Sequence, residues 1–308
     1  MRKPALITLL GLLGLLTILL LWFIGKDFLA EKALEQPAHA RMLFIGNSFT
    51  NNNELDQLVA SLASELGPEW TEIYATRVAP SGYRWVDHLH DTENETAESP
   101  LRQLLVTGSD AARDWDLVVL QEQSQILGFG AQSPETAESR SAAAQLNQYA
   151  QNTGATVMLM LTWGYANGDP RNAALYPDYA TMQFNITQGT YDLANQLSAS
   201  GNPVFVIPAG RGFQLVYRDL ANDAQDPLAP NSLFRQLYAE DGQHPSLAGS
   251  YLAACIVVAA YTGESVADIE WQPRDLDGQY AEYLRSVADR VVFGAEFPPQ
   301  PYPWSAQK

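Results

Sequence analysis

The sequence holds a single cysteine, Cys255, so an internal disulfide and a thiolate zinc site are both excluded. Cys255 lies in the apolar run from Tyr251 to Val258, where it reads as a small buried hydrophobe and not as a nucleophile. Histidine is nearly as scarce. Only His39, His88, His90 and His244 occur in 308 residues, which leaves few candidates for a general base. Basic residues are outnumbered, since 18 Lys and Arg against 35 Asp and Glu give a formal net charge of −17. Nucleic-acid binding rests on clustered Lys and Arg that release counterions, and no basic stripe exists beyond the extreme N-terminus, so a nucleic-acid partner is not expected. No internal repeat is present either.

Apolar material is plentiful. Hydrophobic residues make up 46% of the chain, aromatics 10%, and tryptophan occurs 7 times. That is enough for a membrane segment plus one α/β domain of about 260 residues with a full core.

The N-terminal segment carries Arg2 and Lys3, then an uncharged, leucine-dominated stretch from Pro4 to Gly25. At 1.5 Å per residue such a stretch spans about 30 Å of hydrocarbon, the length of a transmembrane helix. A secretory signal peptide has a shorter apolar core with a small-residue cleavage site close behind it. Here the Ala38-His39-Ala40 triplet has that form but lies far downstream. Residues 1–25 are therefore expected to be an uncleaved signal anchor, oriented by Arg2 and Lys3 so that the rest of the chain lies outside the cytoplasm, periplasmic or at the cell surface. Residues 26–40 read as a polar stalk, 41–296 as the folded domain, and 297–308, with four prolines from Pro298 to Pro303, as an extended surface tail.

Within the domain, Met42 to Ile45 is a short apolar run that ends in Gly46-Asn47-Ser48, and Asn51 to Leu66 then has helical spacing. Trp70 to Val78 alternates as a second strand, followed by turn chemistry at Pro80-Ser81-Gly82. Leu117 to Leu120, Thr156 to Thr162 and Pro203 to Ile207 are three further apolar strands. Helices are expected over 139–151, 179–200 and 246–261. Short apolar strands alternating with helices predict a parallel five-stranded sheet covered on both faces, an α/β domain. Ligands bind beyond the carboxyl ends of such strands, where Ser48, Gly82, Gln121 and Trp163 all fall.

A serine nucleophile needs a base within hydrogen-bond reach and a carboxylate that orients the base. His244 lies in Asp241-Gly242-Gln243-His244-Pro245-Ser246, where Gly242 permits a tight turn and the acid and base share one loop. Ser48 opens a helix, so its backbone N–H and the helix dipole can stabilise an oxyanion, although a serine there also serves as a helix cap. His88 and His90 suggest a metal pair, but no third ligand is recognisable, and none is expected to bind. Gly210-Arg211-Gly212 begins like a dinucleotide loop, yet Leu215 occupies the third glycine position, so no cofactor is expected.

Leu43 to Thr50, with Gly46-Asn47-Ser48 at its centre, resembles the first conserved block of the SGNH (GDSL-like) hydrolases, and Asp241 to Ser246 resembles their fifth. Gly82 sits where the second block's glycine is expected, and the resemblance runs in order over residues 41–262, closest to a bacterial branch that uses Gly-Asn-Ser. It implies a flavodoxin-like three-layer α/β/α sandwich and metal-free hydrolysis of esters or thioesters by Ser48, His244 and Asp241. Two departures stand out. The usual Gly-Asp-Ser is here Gly46-Asn47-Ser48, and the third block, normally Gly-x-Asn-Asp, is replaced by Gln121-Glu122-Gln123-Ser124. An oxyanion hole needs a side-chain amide, so Gln121 is expected to join the N–H groups of Ser48 and Gly82, with Gln123 as the fallback donor. Asn47, Gln123 and Trp163 are expected to line the substrate site. The substrate expected on this resemblance is a small-molecule or glycan acyl ester, with an acetyl ester of an envelope or extracellular glycan as the favoured case. Two other readings stay open: an acyltransferase on the same triad, and a non-catalytic glycan-binding or scaffold protein on the same fold.

Overall fold

A computed structural model describes residues 40–95 and 99–307. The expected signal anchor and nearly all of the stalk lie outside these residues. No helix among the described residues is long and apolar enough to cross a membrane.

Five strands, β1 (Ala40–Ile45), β2 (Ile73–Val78), β3 (Leu117–Leu120), β4 (Thr156–Met160) and β5 (Val204–Ile207), form one sheet in the order 2-1-3-4-5. Every pairing is parallel. This is the flavodoxin-like order, in which the chain steps from β1 out to β2 and then back across to β3. The crevice at that switch point is where α/β sheets bind ligands. β1 and β3 are buried along their whole length, as expected of central strands covered on both faces. The edge strand β2 is only half-buried, which explains its mixed sequence.

The helices are α1 (Ser48–Asn51), α2 (Leu55–Ala63), α3 (Trp85–Glu93), α4 (Pro134–Gln151), α5 (Tyr179–Ala199), α6 (Ala209–Asn222), α7 (Leu247–Thr262) and α8 (Gly278–Val292), with shorter turns between them. α2, α6 and α8 pack against α7 on one side of the sheet, and α3, α4 and α5 cover the other. α7 is apolar all round because it is the centre of its layer. Cys255 sits in it, free and fully buried, and burial pushes its thiol far above the usual range.

Several boundaries differ from the sequence reading. The predicted helix over 51–66 is interrupted, because Asn53 and Glu54 both have left-handed backbone, with φ of 58° and 53°. The predicted 70–78 strand begins only at Ile73, because Trp70 closes a turn over Pro68–Trp70. β1 already includes Ala40, the last residue assigned to the stalk. The proline-rich tail is not simply extended over the surface. Tyr302 is buried, and Trp304 packs on Gly263 while its Nε1 donates to the Ala260 carbonyl, so the tail closes over the end of α7.

Candidate active site

Ser48 emerges at the carboxyl end of β1 as the first residue of α1. The turn before it is tight. A Cβ on Gly46 would stand 2.5 Å from both Gln121 Oε1 and Thr50 Oγ1, so only glycine fits there. Asn47 caps α1: its Oδ1 accepts from the Phe49 N–H, and its Nδ2 donates to the Tyr83 carbonyl at 3.0 Å. Its own N–H donates to Gln121 Oε1, also at 3.0 Å. Below, His88 Nε2 lies 2.7 Å from the Gly46 carbonyl. A carbonyl can only accept, so that nitrogen carries the proton. Burial lowers the His88 pKa and keeps the ring neutral.

Ser48 Oγ lies 2.9 Å from His244 Nε2, and His244 Nδ1 lies 2.5 Å from Asp241 Oδ2. Burial raises the Asp241 carboxyl, but hydrogen bonds from the His244 ring and from the backbone N–H groups of Gln243 and His244 outweigh it, and the net shift is downward. An ionised carboxylate only accepts, which places the ring proton on Nδ1 and leaves Nε2 free to accept from the Ser48 hydroxyl. The nucleophile, base and orienting acid read from the sequence are thus brought into one hydrogen-bonded line.

The imidazole rests on aromatic rings. Phe49 meets it edge-on at 5.4 Å, Trp163 stacks on Phe49 at 5.0 Å, and Phe213 stacks on Trp163 at 4.4 Å. Trp163 also donates from Nε1 to the Gln243 carbonyl, and the Ala166 N–H donates to the Gly242 carbonyl, so the segment after β4 holds the acid–base loop in place.

Trp163 is fully buried and therefore supports this loop and does not line the substrate site. Asn47 is buried too, with its side chain committed to Tyr83 and Phe49, so its part is to shape the turn and not to touch substrate. Gln121 is a further correction. Its Oε1 accepts from the Asn47 N–H and the Thr50 hydroxyl, its Nε2 donates to the Glu122 carbonyl, and it is buried. The amide expected to face an oxyanion instead braces the nucleophile turn from beneath.

The backbone N–H groups of Ser48 and Gly82 have no acceptor among the described residues. Gly82 is exposed, with a φ of +77° that suits glycine. Gln123 is half-buried; its Oε1 accepts from the Gln125 N–H, and its Nε2 has no acceptor among the described residues. Glu122, between the two glutamines, is buried and accepts from the N–H groups of Trp85 and Gln123 and from the Ser139 hydroxyl. Burial pushes its carboxyl up to about 7 against those bonds.

His88 and His90 do not form a metal pair: His88 is buried under Gly46, His90 is exposed, and no metal-ligating cluster occurs among the described residues. Sequence reasoning missed Phe49, His88 and Glu122 as supports of the site. The only signal for His88 was a histidine beside apolar Leu89 on what proves to be a helix.

Neither a family model nor a curated protein matches the sequence. Solved structures do match. A DUF4886 family protein from Bacteroides uniformis superposes with a TM-score of 0.61 at 18% identity, over 84% of this chain and 97% of its own. A candidate SGNH hydrolase from Slackia heliotrinireducens gives a TM-score of 0.50 at 26% identity, over 72% of this chain and 98% of its own. The chain is SGNH-like. An acetylxylan esterase from Geobacillus stearothermophilus is a more distant neighbour of the SGNH-like chain, with a TM-score of 0.48 at 18% identity, over 73% of this chain and 95% of its own.

Proposed function

We propose that the protein is a serine esterase acting on acyl esters. The observation that carries this reading is the line from Ser48 Oγ through His244 to Asp241, at 2.9 and 2.5 Å. In the first half-reaction the Ser48 oxygen bonds to the ester carbonyl carbon as its proton passes to His244 Nε2. The carbon–oxygen bond to the alcohol then breaks, and His244 returns the proton to the departing alcohol. Water repeats the sequence on the acyl-enzyme, releasing the carboxylic acid and restoring Ser48. Asp241 holds the imidazole and stabilises its protonated form without taking the proton.

The tetrahedral intermediate needs donors aimed at its oxyanion. The N–H groups of Ser48 and Gly82, without acceptors among the described residues, support the backbone part of that hole, and Gln123 Nε2, likewise without an acceptor among them, supports Gln123 as its side-chain donor. An acetyl ester of a glycan is the substrate class we favour, by analogy of fold. The apolar N-terminal run supports, as part of the same proposal, a site outside the cytoplasm tethered by residues 1–25.

A fluorophosphonate probe tests the reading. Stoichiometric labelling of Ser48, lost in Ser48→Ala, together with turnover of short-chain acyl esters, is the expected result. An unlabelled Ser48 in the folded protein would overturn it and favour a binding role.

A further inference from the structure

Between α1 and α2 the chain reverses through two successive left-handed residues, Asn53 and Glu54. Asparagine tolerates that conformation better than most residues, but glutamate does not, and such strain persists only where the surroundings over-determine it. Both sides of the kink are held. On one side Arg77 donates from Nε to Asn51 Oδ1 at 2.8 Å, and its two terminal nitrogens pair with Asp56 at 2.5 Å and Glu54 at 3.2 Å. On the other, Asn53 Nδ2 donates to the Pro245 carbonyl at 3.2 Å and to Ser250 Oγ at 3.0 Å, and Ser250 Oγ in turn donates to the Asn52 carbonyl at 3.4 Å.

Pro245 is the residue after His244, and Asn53 is five residues after Ser48. Packing of α2 on α7 brings these two segments together. Among the described residues, the hydrogen bonds joining segment 46–54 to segment 241–250 are the Ser48–His244 contact and the three made by Asn53 and Asn52. We infer that Asn53 is a positioning residue: its amide ties the nucleophile turn to the backbone of the base loop and so sets the Ser48–His244 approach. The kinetic consequence rests on the esterase reading; the geometric one does not.

Asn53→Gly in the full chain removes the amide while keeping a residue at ease with positive φ. It should lower kcat about fivefold to tenfold with KM unchanged, the effect of one hydrogen bond spent on alignment. Ser250→Ala, which leaves the bond to Pro245 intact, should cost about twofold. The readout a merely structural role would not move is the NMR response of the His244 ring to Ser48→Ala. That response should be clear in the parent and attenuated when Asn53→Gly is also present. A response of full size in the Asn53→Gly background overturns the proposal, even if kcat falls. An attenuated response in a protein that hydrolyses no ester supports the tether and defeats the esterase reading instead.

Discussion

The two halves of the site are built differently. The nucleophile turn is made of interior: Asn47 and Gln121 are 3% and 1% exposed, and their polar atoms are paired with Thr50, Phe49, Tyr83 and Glu122. The acid–base loop is surface, with the Asp241 side chain 45% and the His244 side chain 33% exposed. The Asp241 carboxylate bonds only two or three residues along, and the loop is held further by the Ala239 N–H on the His244 carbonyl, by the segment after β4 and by Asn53. A buried polar turn is expensive to leave half-paired, whereas an exposed loop can lose a side chain to solvent cheaply. Changes to the buried side chains of the first half, Asn47 and Gln121, should therefore damage fold and activity together, whereas changes in the second half, and loss of the half-buried Ser48 hydroxyl, should damage activity alone.

The sharpest way to break that contrast is at the triad. Ser48→Ala and His244→Ala should each lower kcat by about 10⁶, and Asp241→Ala by about 10⁴, with melting temperatures close to wild type. Full turnover in Ser48→Ala would end the mechanism. Next in size is Gln123→Ala, expected to lower kcat by about 10²–10³ with little change in KM, because an oxyanion donor acts only where charge develops. Kinetics of Gln121→Ala should look different. It strips acceptors from the Asn47 N–H and the Thr50 hydroxyl, so it should cost about 1–3 kcal/mol in denaturant unfolding as well as activity. If Gln121→Ala proves stable yet catalytically dead while Gln123→Ala is silent, the roles given to the two amides are reversed.

The last effect, which touches stability and not turnover, concerns Glu122. Its carboxyl titrates at about 7 when folded, against an ordinary value of 4.5. The folded state thus binds more protons than the unfolded chain between those values, and Glu122 costs stability progressively as pH rises through that window. In Glu122→Gln the amide oxygen can still accept from Trp85 and Gln123, and the amide nitrogen can donate to Ser139. Melting curves from pH 4.5 to 8 should show the variant losing less stability than wild type on the way up. Parallel curves would mean that Glu122 does not titrate there.

How much of this was legible depends on how local each cause is. β1 and β3 could be read because a strand buried on both faces is apolar at every position, and the triad could be read because Asp241 and His244 share one loop. The positions after strands were harder. Trp163 follows β4 at the ligand-binding end, yet its ring turns inward to stack between Phe49 and Phe213, contacts set by distant parts of the chain. Gln121 and Gln123 are two residues apart with the same chemistry, and only the approach of Gly46 decides which of them is walled in. α3 hid because its sequence, from Trp85 to Glu93, is mostly polar, whereas α8 does carry a helical signal, with Tyr280, Ala281, Leu284, Val287, Ala288, Val291 and Val292 on one face, that the sequence reading passed over. The kink at Asn53 leaves no periodic signal at all; three consecutive asparagines mark a break without telling its geometry.

Cys255 gives the protein a built-in clock for its own opening. The chain's single thiol is fully buried within α7, the helix that begins three residues beyond His244. Alkylation requires a solvated thiolate, so the folded molecule should be silent to maleimides and aromatic disulfides, and any reaction must wait for α7 to be exposed. Every modified molecule then records one such excursion, at one site, with no other cysteine to confuse the count.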